Sequence, residues 1–303
     1  MRTRIIQDQA ARHDALPPPH GTGSGRLGDA PRPRSFGLDV VRRHPLVAFF
    51  VLSYVLAWGA LPWDSFWAFS PLLSALVVVS IAEGLPGLRR LGSRLIRWRV
   101  AWWWYAVAIA VPVGVQFAAI AANRAAGASA PSWDQFSSWY AVLTVFGMNM
   151  VFPLGGQLGE EPGWRGFALP RLQADRSPMR ATVILAVLVT GWHVPLAFAP
   201  AFDLGPIDIV TTFAVTFWYA WLFNHTGGSV LLTLVAHSAE GTVHWADLWS
   251  GADVERFPWL YLVFWGLVAA VVVAFDRAAW RSASPSAIER PNELGAAGPR
   301  VTA

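Results

Sequence analysis

Apolar runs, each close to the length of a membrane span and parted by short arginine-bearing stretches, dominate this chain from residue 45 onward. A helix needs about 20 mostly apolar residues to cross a hydrocarbon core, where every backbone N–H and C=O must be bonded internally. Runs of this kind restrict the fold to a bundle of transmembrane helices. A soluble helix of equal length would break the run with charges on its outer face. Composition agrees: 54% of the 303 residues are hydrophobic and 14% charged, against about 25% charged in soluble domains.

The predicted fold is all-α, a polytopic bundle of about eight transmembrane helices. The spans fall at approximately 45–62, 65–84, 101–122, 138–157, 181–200, 207–224, 229–248 and 258–275. Residues 1–43 read as a disordered Arg- and Pro-rich cytoplasmic tail, 44–280 as the membrane domain and 281–303 as a second disordered tail. No apolar stretch near Met1 suggests a cleavable signal.

Charge placement orients the spans. All 23 basic residues counted as Lys or Arg are Arg. Arg89, Arg90, Arg94, Arg97 and Arg99 share one predicted side with Arg42 and Arg43, with Arg165, Arg171, Arg176 and Arg180 of the 158–180 connection, and with Arg277 and Arg281. The opposite side receives Asp203, Asp247, Asp253 and Glu255, with Arg124 and Arg256. The positive-inside rule then puts both termini in the cytoplasm, in a membrane expected to be the bacterial cytoplasmic one. Arginines parted by apolar runs form no phosphate-binding face, so nucleic acid is not an expected partner. With no Cys in the chain, disulfides, thiolate metal sites and cysteine nucleophiles are excluded.

Ionisable groups at membrane depth are costly, which makes them functional candidates. Gly159-Glu160-Glu161-Pro162-Gly163-Trp164-Arg165-Gly166 follows the fourth span. Arg165, four residues after Glu161, would neutralise and orient it, leaving Glu160 as a base. Pro162 suggests a break between two helical pieces at the carboxylates. A solvated loop with a surface ion pair is the other reading of this segment. His193 lies in the fifth span; His237 lies in the seventh, followed at helical spacing by Glu240, Gly241 and His244. One Glu with two His is a recurrent metal-hydrolase set, and the same groups also activate water without metal. No His-Glu-x-x-His, phosphate-binding loop or Gly-x-Ser-x-Gly elbow is present.

The string from Gly159 to Pro170 resembles the first motif of the CPBP family, which comprises CAAX prenyl endopeptidases and bacteriocin-processing or immunity (Abi) proteins. His193 is similar to the second motif. Asn224, Thr226-Gly227-Gly228-Ser229 and the run to His237 resemble the third. The likeness covers roughly residues 140–248. It implies an intramembrane endopeptidase whose site opens to the cytoplasmic side and acts on a membrane-associated peptide or protein. Glu160 would activate water, His193 and His237 would be metal ligands or oxyanion donors, and Glu161 and Arg165 would support them. The implied metal is Zn2+ or another divalent ion, with Glu160, His193 and His237 as candidate ligands. Immunity or sequestering proteins share the scaffold, and a small-molecule transporter is a further class compatible with polar groups in the spans.

Two positions depart from the family pattern. Val189 stands where Phe is frequent and Gly241 where Asn is usual. His244 is the expected substitute for the missing Asn, with Glu240 oriented against His237 or His244; the other reading of His244, beside Trp245, is an interfacial anchor.

Overall fold

The structure, a computed structural model, describes residues 36–154, 156–199, 202 and 204–281. The tail readings for 1–35 and 282–303 lie outside the described residues. Residues 36–43 are not tail: Phe36–Arg43 forms a helix, α1, with Asp39 in its first turn and two arginines in its last. That charge order suits the helix dipole.

Every regular element among the described residues is a helix, as expected. Helix α2 (Pro45–Trp58) is followed by α3 (Ser70–Ala82), α4 (Gly84–Leu95) and α5 (Trp103–Ala125). Next come α6 (Ala141–Val151), α7 (Gln157–Glu161) and α8 (Leu169–Gln173), with a π-helical stretch, Pro162–Ala168, joining the last two. The chain continues through α9 (Pro178–His193), α10 (Pro206–His225), α11 (Val230–Glu240), α12 (Ala252–Phe275) and α13 (Arg277–Arg281). Proline opens α2, α3, α9 and α10, where its missing N–H costs nothing. Ser177 and Ser229 cap α9 and α11 by accepting from the N–H groups of Arg180 and Leu232.

Among the described residues, five stretches are long and apolar enough to cross a membrane: Pro45–Trp63, Trp103–Ala125, Pro178–Phe198, Pro206–His225 and Ala252–Phe275. Their outer faces are apolar and uncovered. Val47, Val51 and Val55 form such a stripe on α2, as do Val263, Leu267 and Val271 on α12. In water this would be a large aggregation-prone patch; in lipid it is the expected surface. The chain is an integral membrane protein.

The expectation of eight full spans needs correction. The second, fourth and seventh predicted spans contain helices of only 13, 11 and 11 residues. At 1.5 Å per residue these rise about 16–20 Å, short of the roughly 30 Å hydrocarbon core. Gly, Pro and polar groups at their ends stop them early, although their average hydropathy reads as membrane.

Hydrogen bonds gather the connections into two opposite ends. At one, Arg42 Nε donates to the Ile81 carbonyl, Arg94 to the Gly166 carbonyl, and Ser229 Oγ to the Arg97 carbonyl. Glu83 there accepts from both Arg90 and Arg171. At the other, Asn123 Nδ2 donates to the Asp253 carbonyl, the Ser132 N–H to the Leu248 carbonyl, and Gln135 Nε2 to the His244 carbonyl. One end is therefore Arg-bearing and the other carries Asp247, Asp253 and Glu255, as read from sequence; Arg165 is no part of the Arg-bearing connections but is buried, and Asp203 lies outside the described residues.

Candidate active site

The carboxylates sit on a segment held at backbone distance from α3. A Cβ on Gly159 would lie 2.6 Å from Phe69 Cα and 2.7 Å from the Pro153 carbonyl oxygen. A Cβ on Gly163 would lie 2.7 Å from the carbonyl carbon and oxygen of Pro71. Glycine four residues apart permits this approach, as small residues do in membrane helix pairs generally. Glu160 and Glu161 fall between the two glycines, so their Cα positions are fixed by main-chain packing.

Pro162 does not break the helix. Glu161 keeps helical angles (φ −57°, ψ −41°), and Pro162 begins the π-helical stretch instead. The break precedes the carboxylates, at Gly156 with φ +99°, a conformation glycine adopts without a Cβ penalty. π-Helical turns recur at functional sites.

Glu160 and Glu161 are both buried, not in a solvated loop. Glu161 Oε1 accepts from Arg165 at 2.9 Å and from His237 Nδ1 at 3.0 Å. The Arg165 guanidinium lies 4.6 Å over the Tyr219 ring. Glu160 Oε2 is within 3.3 Å of the indole N–H of Trp164. His193 Nδ1 is 2.9 Å from the Val189 carbonyl. A carbonyl only accepts, so Nδ1 carries the proton and Nε2 is left as the basic nitrogen. Trp192 fixes that end of α9 through its indole N–H, which donates to the Ser53 carbonyl at 3.2 Å.

Glu160, Arg165, His193, His237 and Glu240 line one cavity of about 160 Å³. The buried Glu161 lies behind this wall, positioning His237 and Arg165. Four separate segments thus bring the expected groups together. Both histidines use Nδ1 for a protein partner, the pattern by which imidazole ligands are oriented. The donor types suit a divalent ion. Their arrangement does not gather them: among the described residues no group of three or more His, Asp or Glu side chains is placed to hold a metal.

His244 does not take the place left by Gly241. Its side chain is 61% exposed and pairs with Asp247 at 3.1 Å, outside the cavity lining. The turn after α11 carries it away from the face of His237. The space at Gly241 is filled from other helices. A Cβ there would collide with Gln157 Nε2, and Asn149 Nδ2 donates to the Gly241 carbonyl at 3.1 Å. Glu240 shares the cavity lining with His237, and its carboxylate accepts from the hydroxyls of Tyr219 and Tyr261.

Tyr219 and Tyr261, two of the five tyrosines, were not anticipated. Nor was the α10 face made by Asp208, Thr211, Thr212, Val215, Thr216 and Tyr219, all of which line the cavity. A signal existed: polar residues three and four apart within an otherwise apolar span mark one helical face.

Residues 137–243 match the family of Rce1-like type II CAAX prenyl endopeptidases. The matched segment holds the paired carboxylates, Arg165, His193 and His237. The chain carries an Rce1-like domain of the CPBP family. None of the curated proteins matches the chain. The Rce1-like match covers α6 to α11; α1 to α5 lie before it, and Trp245 and Tyr261 of the cavity lining lie after it.

Proposed function

We propose that the protein is an intramembrane endopeptidase, hydrolysing a peptide bond in a membrane-associated protein or peptide. The observation that carries this reading is the convergence of Glu160, His193 and His237 on one cavity, with Glu161 holding His237 from behind and Arg165 bonded to Glu161.

Glu160 takes a proton from water, whose oxygen attacks the scissile carbonyl carbon. Negative charge then develops on the carbonyl oxygen, and a His193 or His237 ring protonated at both nitrogens, with Nδ1 already committed to its protein partner, would stabilise it by donating from Nε2. Collapse breaks the C–N bond, and the proton held by Glu160 passes to the leaving amine. Arg165 and Glu161 touch no substrate atom in this scheme; they hold the His237 ring in place. The route above uses only the chain's own groups.

The test is cleavage of a quenched-fluorescent peptide library by the protein reconstituted in liposomes. Glu160→Gln is expected to lower the rate by about two to four orders of magnitude, with insertion and thermal unfolding unchanged. His193→Ala is expected to lose activity as well. Wild-type rates in either variant would overturn the mechanism.

A further inference from the structure

The cavity has a direction. Its wall on α10 runs from Tyr219 back to Asp208 near the start of that helix, eleven residues and about 16 Å. Leu204 and Trp245, from connections at the acidic end, complete the lining there. Beyond them a second cavity of about 640 Å³ shares Leu204, Asp208 and Trp245 and is edged by Phe198, Glu255 and Trp259. Phe198 is 80% exposed, so this outer cleft reaches the surface.

Among the described residues, none of the Arg-bearing connections lines either cavity. Toward that end, Trp164, Phe167 and Leu169 are each 0% exposed. The Gly166 carbonyl beside them is bonded to Arg94. The site is closed toward the arginines and continuous with a cleft toward the acids.

Arginine-rich connections stay in the cytoplasm. A site opening away from them opens away from the cytoplasm, against the cytoplasmic opening implied by the family resemblance. The lining chemistry narrows the occupant. The two cavities carry the carboxyl groups of Glu160, Asp208, Glu240 and Glu255 against one guanidinium, Arg165, which is bonded to Glu161. A chain end bearing a free carboxylate would meet like charge on its way in, from the carboxylates of Glu255 and Asp208, before it reached His193, His237 and Arg165. An uncharged or cationic internal segment would not. The exposed Phe198 and Trp259 at the outer cleft suit a chain arriving along the membrane interface.

We propose that the cavity is loaded from the non-cytoplasmic side, and that its substrate is an extended internal segment of a membrane-anchored protein on that side. The substrate class rests on the peptidase reading; the direction of access does not.

The absence of Cys from the chain permits a direct test. Leu204→Cys and Thr212→Cys place a thiol in the mouth and on the wall of the cavity, and Ser93→Cys places one at the Arg-bearing end. Each full-length variant is treated with a membrane-impermeant charged maleimide in right-side-out and in inverted vesicles; labelling after denaturation gives the total. The thiols at 204 and 212 are expected to react in right-side-out vesicles at least tenfold faster than in inverted ones, and the thiol at 93 the reverse. Cavity thiols reacting only in inverted vesicles, in neither, or from the same face as position 93 would overturn the proposal. Labelling needs no catalysis, so a negative result here is distinct from retained activity in Glu160→Gln.

Discussion

Removing the Arg165 guanidinium isolates the energetics that hold the site together. Glu161 has no exposed side-chain surface and Arg165 only 3%, with their charged atoms 2.9 Å apart. Taking away one partner leaves the other charge buried and uncompensated, which costs about 3–5 kcal/mol. Loss of the contact over the Tyr219 ring adds about 1–2 kcal/mol. Arg165→Met is therefore expected to lower the folded-to-unfolded ratio by at least about 100-fold, since about 1.4 kcal/mol is tenfold. The fall in melting temperature would be on the order of 10 °C. The 18 tryptophans make intrinsic fluorescence of the detergent-solubilised protein a direct readout. The Glu161→Gln, Arg165→Met double variant removes both charges, and replacing a buried pair outright is often nearly neutral. It should melt above Arg165→Met alone. A single variant that melts with wild type, or a double no better than the single, refutes the buried-pair account.

Two further outcomes follow from the glycines. Gly163→Ala puts a Cβ against main-chain atoms of Pro71 that have no room to yield, and should cost about 1–3 kcal/mol; Gly266→Ala, where nothing lies within 4 Å, should melt with or above wild type. Gly241→Asn should lower the melting temperature because Gln157 occupies the space, and Gln157→Ala should recover it in the double variant; strictly additive effects would show that the two positions do not compete.

How much was legible depended on how local the cause was. The Glu161–Arg165 pair was readable because helical spacing encodes it; that His237 belongs with it came only from the family resemblance, since no local spacing brings α11 against α7. The two-ended charge segregation was readable too, since it needs only the alternation of chain direction. Span lengths were overestimated because hydropathy averages over the polar residues and turns that stop α3, α6 and α11. Pro162 was misread as a break: a proline at the first position of a π-helical stretch needs no N–H bond, and neighbouring packing at Gly159 and Gly163 outweighs its local preference. His244 was placed on the His237 face by extending α11 beyond its end at Glu240. The tyrosine clasp on Glu240 depends on α10 and α12 meeting α11, which one-dimensional spacing does not contain.

The short helices are themselves the reason a polar site exists at this depth. A helix ending within the bundle leaves carbonyls that a longer helix would satisfy internally, and lipid offers them no donor. Here α11 stops at Glu240, and side chains from α5 and α6 supply the donors. Gln116 Nε2 bonds the carbonyls of Glu240 and Val243, each at 3.1 Å. Asn149 Nδ2 bonds that of Gly241 at 3.1 Å. Those amides pin the end of α11 where His237 meets Glu161. Had α11 continued helically, His244 would have stayed near the His237 face and residues beyond Glu240 would have filled the space toward Trp245. Irregular backbone inside a membrane protein is tolerated where it is buried in protein or lines a cavity. The turn after α11 meets both conditions: its carbonyls are bonded by the two amides, and its Trp245 lines the path to the site. Early termination of α11, the amide donors that make it affordable and the water-reachable position of the two histidines are one structural solution.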